Sequence, residues 1–131
     1  VVKNKPKVRG IFAIDQSGSM SQNDIDEGNN ELYHIWKAGV KLDLAEWDAE
    51  CNPAREYKGK LDFERVKGGG TRLSCAIEYV NENKRKYDFA VFCTDGYVES
   101  DIVRCQIPCI ILITSNGNTE LNTIHKIIRM N

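Results

Sequence analysis

The sequence predicts an α/β fold: an open, mostly parallel, doubly wound sheet, Rossmann-like in layout, with one antiparallel edge strand and helices on both faces. Three observations lead there. Short apolar runs at Gly10-Ile11-Phe12-Ala13-Ile14, Tyr87 to Cys93 and Cys109 to Thr114 read as buried strands. Stretches of helical periodicity lie between such runs, so strands and helices alternate, as right-handed βαβ units require. Polar, oxygen-rich residues then fall at the ends of the runs, at Asp15 to Ser19 and at Thr94-Asp95-Gly96. In open sheets of this class ligands bind beyond the carboxyl ends of the strands, where strand order reverses.

Taken in order, Val1 to Arg9 carries lysine or arginine at positions 3, 5, 7 and 9, and reads as a solvated lead-in rather than a nucleic-acid arm. After the first strand, Ser21 can cap a helix with Asp24, placing Ile25, Leu32, Ile35, Trp36 and Gly39 on one face. Gly28-Asn29-Asn30 weakens it, so the alternative is a loop followed by a helix from about Glu31. Val40 to Trp47 alternates like a strand with one wetter face, and Asp48 to Arg55, containing Pro53, reads as a turn. Tyr57 to Phe63 then reads as a charged edge strand, antiparallel to its predecessor because so short a connection cannot make a parallel crossover.

Gly68-Gly69-Gly70-Thr71 opens a helix running to about Asn83, with Thr71 at or near the cap and Leu73, Ala76, Ile77 and Val80 inward. Lys84, Arg85 and Lys86 suit the negative end of that helix dipole. After the last buried run, Thr119 is expected to cap a final helix with Leu121, Ile124, Ile127 and Ile128 on one face.

At 131 residues with 41% hydrophobic content, the chain fits one domain, residues 1–131. Its 18 basic and 19 acidic residues give a net charge of −1, so no overall field draws it to nucleic acid or a membrane. The longest apolar run, Ile110 to Ile113, is too short to span a bilayer, and no export leader opens the sequence. Five cysteines, an odd number with Cys93 in a central strand, fit a reduced, cytoplasmic protein. A start without Met fits a piece of a longer polypeptide.

The chemistry concentrates at Asp15-Gln16-Ser17-Gly18-Ser19. One carboxylate and two hydroxyls at alternate positions, with Gly18 free to adopt positive φ, can aim three hard oxygens at one point. Such oxygens suit Mg²⁺ or Ca²⁺. If the first strand and the Tyr87 strand are neighbours, Thr71 and Asp95 can join them. Taken singly, each residue has an ordinary reading: Ser17 and Ser19 as turn formers, Asp15 as a loop carboxylate, Thr71 as a helix cap.

Asp15-x-Ser17-x-Ser19 after a strand, Gly70-Thr71 opening a mid-chain helix and Thr94-Asp95-Gly96 after a later strand together resemble the metal-ion-dependent adhesion site (MIDAS) of von Willebrand factor A (VWA) domains. The resemblance spans Gly10 to about Thr114. Within that family the chain is similar to the compact bacterial and phage branch found with metallopeptidase-like proteins and near MoxR-type AAA+ ATPases. The resemblance implies that Asp15, Ser17 and Ser19 ligate Mg²⁺ (or Mn²⁺ or Ca²⁺) directly or through water. Thr71 would complete the shell in the partner-bound state, and Asp95 would lie at the metal or one water away. It further implies a monomeric protein-interaction domain whose partner supplies an Asp or Glu to the metal, the partner being an AAA+ ATPase or its substrate. The chain is short for the family.

The competing class is an Mg²⁺-dependent hydrolase or phosphoryl-transfer enzyme using Asp15 and Asp95. The phosphoryl-acceptor pattern wants a second acid where Ser17 stands. His34 and His125, the only histidines, lack the spacing of a metallopeptidase and read as ordinary helix residues. The glycine run before Thr71 lacks the lysine of a phosphate-binding loop. Cys105 and Cys109, separated by three residues with no second pair, read as buried or loop thiols, and Glu99 and Asp101 as loop solvation.

Overall fold

The computed structural model describes residues 8–60 and 69–131. Six strands form one sheet: β1 (Arg9–Asp15), β2 (Lys41–Trp47), β3 (Arg55–Glu56), β4 (Phe89–Thr94), β5 (Cys109–Ile113) and β6 (Lys126–Arg129). Their spatial order is β3-β2-β1-β4-β5-β6, with β3 antiparallel to β2 and every other pair parallel. This is the expected doubly wound sheet with one antiparallel edge strand. Strand order reverses between β1 and β4, so Asp15 and Thr94, ending those strands, flank the switch point.

Two helices cover the two faces. Alternation along β1 sends Phe12 and Ile14 toward α1 (Gln22–Lys37), where they join Ile25, Leu32, Leu44 and Val91. Ile11 and Ala13 face the other way and pack with Leu73, Ala76, Ile77 and Val80 of α2 (Leu73–Glu82). Among the described residues no helix is long and apolar enough to cross a membrane.

Several elements depart from the sequence expectation for identifiable reasons. Helix α1 runs unbroken through Gly28. Its N-terminus is fixed by a reciprocal capping box, Ser21 Oγ accepting from the Asp24 amide at 3.1 Å and Asp24 accepting from the Ser21 amide at 3.0 Å. Gly28 lies where the helix comes closest to the sheet: a Cβ there would stand 2.8 Å from both Cys93 Sγ and Ile14 Cδ1. What reads as a helix breaker is a packing requirement.

Strand β2 has no wet face. Every residue after Lys41 is buried, because its acids find partners in place of water. Asp43 accepts from the Arg9 guanidinium at 2.9 and 3.1 Å and from the Tyr87 hydroxyl at 2.6 Å, and Glu46 takes the Arg55 guanidinium at 2.8 Å on both oxygens. The edge strand pairs earlier than expected, at Arg55 and Glu56, with Tyr57 adding one bond to Leu42. Its expected continuation through Leu61 and Phe63 lies outside the described residues, as do Gly68 and the basic positions 3, 5 and 7. Helix α2 opens at Leu73 rather than at Thr71, and Lys84–Lys86 form a separate short 3₁₀ turn after it.

The final helix does not form. Residues 119–125 are irregular, and Lys126–Arg129 make β6, parallel to β5, with Ile111 opposite Ile127. Three isoleucines within Ile124 to Ile128 suit a strand as well as a helix. The open edge of β5 offers ladder hydrogen bonds that a helix preceded by Asn116-Gly117-Asn118 cannot match in local propensity.

Candidate metal centre

Strand β1 delivers Asp15 to the carboxyl edge of the sheet with its side chain fully buried. Both carboxylate oxygens are held: Oδ1 accepts the Ser17 amide at 2.7 Å, and Oδ2 accepts the Thr94 hydroxyl at 2.6 Å. The chain beyond is fastened on three sides. The Gln16 amide donates to the Trp47 carbonyl at 2.7 Å, Gly18 to the Gly69 carbonyl at 3.1 Å, and Met20 to the Ser17 carbonyl at 3.1 Å. In this turn Ser17 Oγ and Ser19 Oγ stand 3.3 Å apart.

Asp95 follows β4 and is also buried. Its Oδ1 accepts the Tyr97 amide at 3.1 Å, and its carbonyl accepts the Asn118 amide at 2.8 Å. The positive-φ glycine of the site is Gly96, at φ 83°, rather than Gly18, whose turn needs no such conformation. A Cβ on Gly96 would stand 1.9 Å from the Asn118 carbonyl oxygen, so the loops after β4 and β5 meet backbone to backbone.

Thr71 lies on the segment tied to both neighbours, through the Gly69 carbonyl to Gly18 and through the Arg72 amide to the Asp48 carbonyl at 2.9 Å. It is half-buried, and its hydroxyl makes no hydrogen bond to the other four residues. The structure thus gathers Asp15, Ser17, Ser19 and Asp95 and sets Thr71 on the adjoining loop.

The electrostatics favour a cation. Burial pushes the Asp15 carboxyl up to about 6, the Asp95 charge adds to this, and the Thr94 and Ser17 hydrogen bonds only partly offset it. Among the described residues neither carboxylate has a Lys or Arg partner. Buried charges are ordinarily paired or coordinate metals, and the donors here are all hard oxygens. Adjacent ligands of an Mg²⁺ octahedron lie about 2.9 Å apart, close to the separation of the two serine hydroxyls. Among the described residues no group of three His, Cys, Asp or Glu lies together, so a cation here would rest on the two acids, the hydroxyls and water. The residues present fit a small divalent cation.

Two participants escape sequence reading. Thr94 reads as strand end but orients Asp15. Glu99 reads as loop solvation, yet its carboxylate accepts the Leu73 amide at 2.8 Å and the Ser74 amide at 2.7 Å, capping α2 from 26 and 25 residues away. The sole hint of either was proximity to Asp95.

No protein-family model matches the chain, and no curated protein sequence matches it. Solved structures do. An aerotolerance-related membrane protein from Bacteroides fragilis superposes with a TM-score of 0.62 at 14% identity, over 81% of this chain and 67% of that one. The ArnB paralog VWA2 from Sulfolobus acidocaldarius gives 0.64 at 18% identity, over 88% and 37%. Proximal thread matrix protein 1 from the mussel byssus gives 0.64 at 13% identity, over 85% and 38%. The chain therefore spans little more than a third of the last two proteins. At such identities the likeness is one of fold, and the fold of this chain is the VWA-like form of the doubly wound α/β sheet.

Proposed function

We propose that the chain is a divalent-metal-dependent protein-interaction domain, with Asp15, Ser17, Ser19 and Asp95 holding Mg²⁺ (or Mn²⁺ or Ca²⁺) and Thr71 joining when a partner docks. The observation that carries this reading is Asp15 itself: a fully buried carboxylate with both oxygens oriented by neutral donors, a second acid beside it and, among the described residues, no cationic side chain paired with either. Bound there, the cation supplies a Lewis-acidic position that one further carboxylate can fill. The residues of the chain do the rest. Thr94 fixes the Asp15 carboxylate, the Gly18 to Gly69 bond holds the serine turn against the Thr71 segment, and the Asn118 contact holds the Asp95 turn.

The partner would present an Asp or Glu, and the VWA resemblance extends this to a larger machine such as an AAA+ ATPase or its substrate. Neither nucleic acid nor membrane enters this reading, and the domain acts as a monomer in the cytoplasm. The test is a Mg²⁺ titration followed by thermal melting, on the wild type and on Asp15→Ala. Saturable stabilisation of the wild type alone supports the centre; an equal response in both rejects Asp15 as a ligand. The rival reading, an Mg²⁺-dependent hydrolase using Asp15 and Asp95, requires chelator-sensitive turnover of a phosphate ester.

A further inference from the structure

Helix α1 covers only part of its face of the sheet. Leu112 of β5 stands beside Ile128 of β6, so both point to the α1 side, where Leu112 joins the core around Ile25 and Leu32. Beyond that core the strip stays open, with Ile128 39% exposed and Met130 half-buried. Among the described residues no second α-helix lies on this face.

A cavity of about 330 Å³ follows, walled by Glu27, Asn30 and Glu31 of α1 and floored by Leu112, Ile128 and Met130. A second cavity, of about 480 Å³, shares Glu27 and Asn30 with it and reaches Ser21, Asp24, Ser115 and Asn116. These last residues belong to the carboxyl edge: Ser21 lies two residues beyond Ser19, and Ser115 two beyond the end of β5. One groove thus runs from the rim of the metal centre down the side of α1.

Its helical wall is acidic. Asp24, Glu27 and Glu31 recur at three- and four-residue spacing and so share a helix face. Among the described residues none of the three has a Lys or Arg partner. Glu27 is held by neutral donors, the Ser115 hydroxyl at 3.0 Å and the Ser115 amide at 3.3 Å. The cation on the far side, Arg129, donates to the Gly117 carbonyl at 2.9 Å. Among the described residues the acids do not gather into a metal-holding group, so their charge is spread along the groove.

An acidic wall over an apolar floor selects what can lie there. Phosphate-bearing ligands and acidic segments are repelled, whereas a segment carrying Lys or Arg beside an apolar residue is complementary. From Asp24 to Glu31 the helix rises about 10 Å, which an extended chain covers in about three residues.

We propose that the partner segment giving its Asp or Glu to the metal continues into this groove, with Lys or Arg facing Asp24, Glu27 and Glu31 and an apolar side chain seated on Leu112, Ile128 and Met130. The placement of the carboxylate rests on the metal-centre reading; the chemistry of what adjoins it rests on the groove alone.

The test is an amide NMR titration of the isotope-labelled chain in Mg²⁺ with the capped peptide Asp-Gly-Lys-Ala-Lys-Leu-Leu and with the same sequence reversed, which covers both chain directions. At least one should shift the amides of Glu31, Leu112 and Ile128 together with those of Ser17 and Ser19. Replacing both lysines by glutamate should weaken binding about tenfold. Glu31→Lys should weaken the lysine peptides about fivefold and favour the glutamate ones, while leaving the Mg²⁺-induced rise in Tm unchanged. Chelation separates the two readings: in EDTA the shifts at Ser17 and Ser19 should vanish, whereas weaker, salt-sensitive shifts at Glu31 and Ile128 persist. Groove shifts in a chain that shows no Mg²⁺ response reject the metal centre alone. Absence of groove shifts at millimolar peptide, or equal binding of the lysine and glutamate peptides, overturns the proposal whatever Mg²⁺ does. Groove shifts that grow with protein concentration in the absence of peptide assign the groove to a second copy of the chain and overturn it as well.

Discussion

The hydroxyl of Thr94, the last residue of β4, donates a 2.6 Å hydrogen bond to Oδ2 of Asp15, the last residue of β1. The two strands on either side of the switch point are thereby joined through the carboxylate proposed to hold the metal. Thr94→Val keeps the side-chain shape and removes the donor. A buried carboxylate that loses a hydrogen bond gives up about 1.5–3 kcal/mol. Urea unfolding at pH 7 in EDTA should show a loss of that order, with a smaller loss at pH 4.5, where Asp15 is largely protonated. Thr94 Oγ1 also accepts the Gly96 amide at 3.2 Å, so equal losses at both pH values would assign the effect to that amide and to packing rather than to the Asp15 bond.

Asp15 also makes the metal-free protein sensitive to pH in a definite direction. Its folded-state value of about 6 lies above the ordinary 3.8, so between these limits the folded state binds the extra proton. Its contribution is favourable below about pH 4 and is lost as pH rises through 6, by about 3 kcal/mol at 1.36 kcal/mol per unit. Measured in EDTA, the stability of the wild type relative to Asp15→Asn should fall across this window and level off above it. Saturating Mg²⁺ should cancel the fall, because a cation rewards the ionised form. A flat difference would show that Asp15 titrates normally.

Metal linkage gives a magnitude. A ligand at a hundred times its Kd stabilises the folded state by about 2.7 kcal/mol, which in a domain of this size raises Tm by several degrees. Ser17→Ala should need more Mg²⁺ to reach the same Tm, and Asp15→Ala should show no rise at any concentration. Capture of a carboxylate-bearing partner should be reversed by EDTA in step with these shifts.

Strands β1, β4 and β5 were legible because burial on two faces leaves unbroken apolar runs, and α2 because Leu73, Ala76, Ile77 and Val80 repeat at helical spacing. The gathering of Asp15 and Asp95 needed only the adjacency of β1 and β4, which the usual reversal of strand order supplies. What stayed hidden depended on distant partners. Asp43 and Glu46 look like a solvent face until Arg9, Tyr87 and Arg55 are placed against them. Ile127 and Ile128 share a helical face on paper, but the free edge of β5 decides otherwise. Glu99 has no local signature because the helix it caps lies earlier in the chain.

Gly28 makes the same point in a form that can be measured. Alanine is favoured over glycine inside a helix by about 1 kcal/mol, so local propensity says that Gly28→Ala stabilises α1. The added Cβ would stand 2.8 Å from Cys93 Sγ and Ile14 Cδ1 in a closed core. Overpacking of this kind costs about 1–3 kcal/mol. The substitution should therefore leave Tm unchanged or lower it, and a clear rise would show that α1 can move off the sheet freely.

Glu99 offers the last case, in which one residue links helix stability to the proposed centre. Its carboxylate satisfies the first two amides of α2, directly after the segment carrying Thr71 and four residues beyond Asp95. Glu99→Ala removes a charged cap at a helix N-terminus, which costs about 1–2 kcal/mol. Glu99→Gln retains an acceptor oxygen and should recover part of this. Because Arg72 and Leu73 hold Thr71 in place through Asp48 and Glu99, the Ala variant should weaken Mg²⁺-dependent partner capture while leaving Mg²⁺ binding without partner near the wild-type level. Melting curves with and without Mg²⁺, set beside a pull-down, separate the two effects. If both fall together, Glu99 supports the metal ligands themselves rather than the loop that Thr71 brings to the partner.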